Sequence, residues 1–294
     1  MLYYIAQQTI NAIQLGSIYA LIALGYSMVY GVLVMINFAH SDLFMLGAFA
    51  CLLLATMLPV QLPFVVILLL VMAIIGLLGA LIERVAYRPL RGAPRVSAII
   101  TALGCGLVIQ NTTLSLSPYP KYMPELFNSR TLTFSGLTIT TLQILIIGIS
   151  FGLMVALDFL IRKTRYGMAM RAISFDVRTV PLMGIPVNRI ISLTFLVGAG
   201  LGGAAGMLYG LAYPQISSGI GILIGWKAFI AAVIGGIGSI RGAVLGGFLL
   251  GLVEVMAVAF TDSSYRDLIA YSLLLLILVF KPYGLLGQAP NQKV

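Results

Sequence analysis

The chain has 294 residues, 61% hydrophobic and 9% charged, with a formal net charge of +9 and a mean hydropathy of +1.09. Those values exclude an ordinary soluble globular domain. Apolar stretches long enough to cross a hydrocarbon core of about 30 Å at about 1.5 Å per residue number roughly eight. They leave almost no polar sequence for a separate soluble domain, so residues 1–294 read as a single all-α polytopic membrane domain. The positive charge points to topology and not to nucleic acid. Arg84, Arg88, Arg91 and Arg95 fall in one inter-helix segment, and Arg162, Lys163, Arg165, Arg171, Arg178 and Arg189 in another, as the positive-inside rule expects of cytoplasmic loops. Cys51 and Cys105 both lie in apolar runs and read as packing residues, with no sign of a disulfide framework or a zinc site.

No Lys or Arg precedes Arg84, so the first apolar run, about 5–36, lacks the basic region of a cleavable signal peptide and is expected to remain as a span. It is interrupted by Asn37-Phe38-Ala39-His40-Ser41-Asp42 and resumes to Leu58, before Pro59. A third span, about 62–82, ends in the basic segment 83–95, and a fourth, about 96–116, leads out. Segment 118–138 holds Pro118, Pro120 and Pro124 and then an alternating Thr131–Thr138 stretch, which predicts an external loop with a short hairpin. The fifth span, about 139–161, returns to a long basic segment, 162–189. There Tyr166–Met183 has the pattern of one or two short amphipathic helices at the membrane surface, stopping at Gly184 with Pro186 beyond.

A sixth span, about 190–212, is rich in glycine, which permits close helix approach. From Trp226 to Phe260 the chain is apolar except for Gly235-Gly236-Ile237-Gly238-Ser239-Ile240-Arg241-Gly242, which predicts two short helices joined by a turn. The last span, about 267–281, places the C-terminus in the cytoplasm and the N-terminus outside.

Backbone groups in lipid must be hydrogen-bonded, so a polar or glycine break at membrane depth belongs where protein or a wet cavity covers it. Two such breaks occur. Gly47-Ala48-Phe49 after the first resembles Lys227-Ala228-Phe229 near the second, and paired discontinuous helices in corresponding halves are a signature of a transporter's substrate path. Asn37, His40, Ser41 and Asp42, with Trp226, Lys227 and Glu254, are therefore the candidate path residues. In the alternative reading Asn37 simply caps the next helix, with His40 and Asp42 in its first turn. His40 is the only histidine, which argues against a metal site, and adjacent His40-Ser41-Asp42 in a helix point in different directions and form no hydrolytic relay. Glu254 lies in an apolar run and needs pairing, protonation or water; Arg241 and Lys227 are the candidate partners. No phosphate-binding glycine loop occurs, so any energy from ATP must come from another chain.

These residues resemble the inner-membrane permeases of branched-chain amino-acid ABC importers (LivH-type). The likeness lies in Tyr30-Gly31-Val32 with Ile36-Asn37-Phe38-Ala39-His40, in Ala86-Tyr87-Arg88-Pro89-Leu90-Arg91, in Gly167-Met168-Ala169-Met170-Arg171-Ala172 with Leu182-Met183-Gly184-Ile185, and in Lys227-Ala228-Phe229 through Gly235-Gly236-Ile237-Gly238-Ser239. It spans nearly the whole chain, with Ser41 where the family pattern has Gly and Pro181 where it has a small helix former. The resemblance implies a heterodimer with a second homologous permease, two cytosolic ATPase subunits that carry ATP and Mg²⁺, and a periplasmic or lipid-anchored substrate-binding protein, in a bacterial inner membrane. It implies no catalytic residue, metal or cofactor on this chain. It also makes 162–189 a coupling loop to the ATPase, with Arg165, Gly167, Met168, Arg171, Asp176, Leu182, Met183 and Gly184 as its candidate residues. Urea or short-amide import, or secondary transport without an ATPase, are the competing functions.

Overall fold

Residues 1–57, 62–134, 136–177 and 179–287 are described by the computed structural model. The expected stop at Leu58 and Pro59, together with Ser135, Arg178 and the tail from 288, lies outside the described residues. The apolar runs become helices α1 (Leu2–Leu33), α2 (His40–Met57), α3 (Phe64–Ile82), α4 (Arg95–Leu116), α5 (Thr141–Lys163), α7 (Val187–Ala212), α8 (Ile220–Gly235), α9 (Ile240–Phe260) and α10 (Arg266–Phe280), with a short α6 (Arg165–Phe175) between α5 and α7. Among the described residues, eight helical segments are long and apolar enough to cross a membrane, whereas α8, at 16 residues, is not. The chain is thus an all-α, multi-pass integral membrane protein. The predicted hairpin is present as β2 (Thr131–Phe134) and β3 (Leu137–Thr140), and a second antiparallel pair joins β1 (Lys121–Tyr122) to β4 (Gln215–Ile216).

Two ends of the bundle are distinguishable. At the hairpin end, Gln7 Nε2 donates to the Thr138 carbonyl at 2.8 Å, and Tyr4 OH on α1 donates to the Ala259 carbonyl near the end of α9 at 3.1 Å. At the basic end, Arg91 Nη1 donates to Asn188 Oδ1 at the start of α7. It follows that α1 and α3 run from the hairpin end to the basic end, and α7 and α9 run the opposite way.

This arrangement is an inverted repeat. α1 packs chiefly on α9, α7 chiefly on α3, and the two short helices α2 and α8 cross between them. The weak sequence repeat is in structural register: Gly47 is the eighth residue of α2 and Lys227 the eighth of α8. Close approach at these crossings rests on glycine. At Gly206 of α7, a Cβ would collide with the Phe44 carbonyl oxygen of α2, and at Gly246 of α9 it would collide with the Ala231 carbonyl oxygen of α8.

The third span continues further than its composition predicts. α3 passes into a π turn (Glu83–Tyr87) and a 3₁₀ turn (Arg88–Leu90), so the basic segment 83–95 begins as helix and its irregular part shrinks to the residues after Leu90. The reason is Glu83, which is fully buried. It accepts from Arg88 Nη2 at 3.3 Å, from Ser192 Oγ at 2.5 Å, and from Arg91. Those contacts keep a buried carboxylate compensated while the helix runs on.

A Gly206→Val substitution is expected to destabilise the detergent-solubilised protein by at least about 2 kcal/mol, because backbone on both sides must move. Gly148 of α5 faces open space, so Gly148→Ala should leave the melting temperature unchanged or slightly raised. Thermal unfolding of the two variants side by side checks both.

Candidate functional site

The first break is made by backbone strain and burial together. α1 ends at Val34, a β-branched residue with φ 55° and ψ 33°, whose N–H donates to the Tyr30 carbonyl at 2.8 Å. Such a residue is disfavoured in the left-handed region. Residues 34–39 then turn the chain back into the bundle, and α2 starts with His40 N–H donating to the Asn37 carbonyl at 3.1 Å. The Asn37 side chain does not cap α2. Its Oδ1 accepts from Tyr87 OH at 2.8 Å, both residues being buried, so the break is tied to the π turn that follows α3.

His40 lies against Gly25 of α1 and Gly202 of α7, with its ring edge-on to Tyr26 at 4.8 Å. Its Nε2 is buried and has no hydrogen-bond partner among the described residues. Ser41 Oγ donates to the Phe38 carbonyl at 2.9 Å, and Ser41 itself packs on Gly225 of α8. Asp42 is 6% exposed and sits between Gly106 of α4 and Gly221 of α8, and its Oδ1 is unpartnered among the described residues. The N-terminal turns of α2 and α8 therefore meet inside the bundle, around Ser41 and Asp42. Helix N-termini carry positive partial charge, which makes a carboxylate tolerable there without a cation.

Trp226 belongs to the same place. Phe38 of the break lies 5.6 Å from Trp226 and 5.7 Å from Phe229, and Phe229 is 5.7 Å from Tyr26. Trp226 remains 40% exposed, so this aromatic wall is open on one side.

Lys227 and Glu254 form a different site. Glu254, 1% exposed, accepts from Lys227 Nζ at 2.9 Å and Tyr19 OH at 2.8 Å, and Arg266 Nε lies 3.3 Å from the same carboxylate. Lys227 Nζ also lies 2.7 Å from Asp267 Oδ1. Glu254 is thus paired with Lys227 and Arg266. Arg241, the other partner expected for it, is at the basic end, makes no ion pair among the described residues, and lines a cleft with Arg162 and Arg171. Lys227 and Trp226 are adjacent in α8 and point in different directions, so the structure divides the predicted path residues into an apolar break with buried His40 and Asp42 and an ion-pair cluster nearer the hairpin end.

In the segment 162–189, α6 starts with Thr164 Oγ1 accepting from Gly167 N–H at 3.2 Å. Gly167 lies so close to the Ile161 backbone that no side chain fits, and Arg171 Nη1 donates to the Ile161 carbonyl. Both residues turn α6 back under α5. Thr179 Oγ1 donates to Asp176 Oδ2, and Gly184 ends the following 3₁₀ turn (Val180–Met183) at φ 76°. Pro181 opens that separate turn and does not bend α6. Ala169, Met170, Ile173 and Val180 are buried against the bundle, whereas Arg165, Met168, Leu182 and Met183 are exposed.

The residues missed by sequence reasoning are Tyr19, Tyr87, Arg266 and Asp267, all of which meet their partners across long sequence separations. Only the isolation of Asp267 and Arg266 at the head of an apolar run offered a signal.

Removing one member of the buried pair should be costly, and removing both less so. Lys227→Met is expected to lower stability by about 3–5 kcal/mol, and adding Glu254→Leu to recover part of it. Thermal unfolding of the two single variants and the double variant measures that coupling.

Residues 8–278 match the family described as branched-chain amino acid transport system, permease component. The chain is 41% identical to the high-affinity branched-chain amino acid transport system permease protein BraD of Pseudomonas aeruginosa, over all of this chain and 99% of that one. It is 40% identical to the corresponding LivH proteins of Salmonella typhimurium and Escherichia coli K12, over 99% of this chain and 98% of each relative. A chain with this fold, matched from end to end, belongs to the branched-chain amino acid transport permease family.

Proposed function

We propose that this chain is one of two transmembrane subunits of an ABC importer that moves branched-chain or other hydrophobic amino acids into the cytoplasm by ATP-driven alternating access. The observation that carries this reading is the meeting of two oppositely directed short helices, α2 and α8, inside the bundle of a member of this permease family. Two such helices related by an inverted repeat are the architecture of a path that opens alternately to either side. The apolar wall of Phe38, Trp226 and Phe229 suits an aliphatic side chain, and the N-terminal turns of α2 and α8 suit a polar head group.

In this reading the basic end is cytoplasmic, with segments 83–95 and 162–189 and the C-terminus on that side, and the hairpin segment 118–138 and the N-terminus are external. The subunit is read as pairing with a second homologous permease, two cytosolic ATPases that bind ATP and Mg²⁺, and a periplasmic or lipid-anchored binding protein. No chemical step falls to this chain. Met168, Leu182 and Met183, exposed on a segment anchored by Met170, Ile173 and Val180, are the contact proposed for the ATPase. Gly167, Arg171, Asp176 and Gly184 shape that segment.

The test is co-purification of this chain with the ATPases encoded beside it, together with leucine uptake in cells. Met168→Glu with Met183→Glu is expected to abolish ATPase retention while the folded permease is still recovered, because a carboxylate in a desolvated apolar contact is strongly unfavourable. Arg171 is a poorer probe, since it holds the α5–α6 junction. Trp226→Ala should reduce leucine uptake about tenfold at unchanged permease level, equivalent to about 1.4 kcal/mol. Wild-type uptake of urea in place of leucine, or full leucine uptake without the ATPases, would overturn the assignment.

A further inference from the structure

A cleft of about 600 Å³ opens at the basic end where α5, α6 and the start of α9 come together, and three guanidinium groups from those separate elements, Arg162, Arg171 and Arg241, line it. Each retains donors. Arg162 pairs with Asp158 through Nε at 2.6 Å, leaving both Nη groups. Arg171 gives Nη1 to the Ile161 carbonyl, leaving Nη2. Arg241 is exposed, with no side-chain hydrogen bond and no ion pair among the described residues. Among the described residues, no acidic side chain lines the cleft.

The backbone adds to this. The turn before α9 has Gly236 and Gly238 at φ 106° and 90°, and Ser239 Oγ accepts only from Gly242 N–H, at 3.2 Å. Among the described residues, the amides of Ile240 and Arg241 at the head of the 21-residue α9 have no backbone partners. Such a helix start beside three arginines is suited to a phosphate group.

The other described lining is apolar, from Ile161, Ile237 and Ile240 with Leu286 and Gly287 of the C-terminal segment, and the exposed face of α9 continues from Arg241 to Leu245 one turn on. α5 likewise presents Phe151, Val155 and Phe159 outward. A phosphate site that borders directly on lipid-facing side chains fits an amphiphile better than a free anion. The geometry points to a binding site for the phosphate headgroup of an anionic phospholipid in this cleft, with the acyl chains against the outer faces of α5 and α9. The site does not depend on what the permease carries, and only the leaflet follows from the orientation proposed above.

The test is native mass spectrometry of the full chain released from nanodiscs that contain phosphatidylglycerol and phosphatidylcholine. The wild type is expected to retain phosphatidylglycerol about tenfold over phosphatidylcholine, Arg241→Gln to fall to parity, and Arg241→Lys to lie between, as the loss of one charge-assisted hydrogen-bond donor predicts. Arg84→Gln, at the same end and outside the cleft, should retain lipid as the wild type does. If Arg241→Gln does not fold, Arg162→Gln combined with Asp158→Asn removes a second cleft arginine without stranding an acid, and must reproduce the loss. Equal retention by wild type and variants would overturn the assignment. Displacement of the lipid by excess inorganic phosphate would overturn it in favour of a soluble anion.

Discussion

Lipid offers no hydrogen-bond partner, so the first turns of α2 and α8 can exist inside the membrane only where protein surrounds them. Much of the fold serves that end. α1 and α7, the two most buried spans, flank the breaks, and the glycines of α7 let the backbones of α2 and α7 touch. The far end of α8 is closed in the same way: Leu285 and Leu286 donate their N–H groups to the carbonyls of Ile234 and Gly235 at 2.8 and 2.9 Å. A C-terminal segment that looks like a tail therefore completes the hydrogen bonding of a helix too short to reach solvent unaided.

Apart from Asp42, which rests at the N-terminal turns of α2 and α8, the buried charges of the described residues are compensated, and each compensated group ties elements that packing alone would leave independent. Glu83 holds the end of α3 to the start of α7 through Arg88, Arg91 and Ser192. Four residues on, Tyr87 holds Asn37, so the same π turn that exists because of Glu83 also fixes the first break. The basic end and the start of α2 are thus joined by two side-chain contacts and one turn. Glu254 does the corresponding work near the hairpin end, joining α1, α8, α9 and α10 through Tyr19, Lys227 and Arg266.

The spans, the hairpin and the first break were legible in the sequence because hydrocarbon thickness acts locally, whereas the glycine segment 235–242, read as the second break, is a turn at the basic end, and the link that leads into the bundle before α8 is 213–219. The register of the repeat was legible too, since α2 and α8 carry Ala-Phe at the same distance from their starts. Partners were not. Lys227 and Arg241 both read as neighbours of Glu254, but Arg241 lies at the start of the same continuous helix, about 20 Å from Glu254 along its axis, so only Lys227, brought in by the crossing of α8 and α9, can reach it. Asn37 looks like a cap by type and is a hydrogen-bond acceptor for Tyr87 by position. Glu83 reads as the first residue of a polar loop, and only the fold shows that its arginines return to cover it within a continuing helix. Arg171 reads as a docking charge, while the close contact at Gly167 turns it back onto α5.

The two halves are inverted copies that have diverged in how they are held. At the eighth position of α2, Gly47 lies against the backbone of Gly203, a contact with no slack. At the eighth position of α8, Lys227 reaches two carboxylates, Glu254 on α9 and Asp267 on α10. Backbone-to-backbone packing has one satisfactory geometry, whereas an ammonium shared between two acids keeps a partner when one of them shifts. Because α10 is the least buried of the spans, the Asp267 and Arg266 contacts are a large part of what fixes it to the bundle. The half that begins with α7 thus carries, at this position, a buried charge shared among α8, α9 and α10, where the half that begins with α1 has a backbone contact.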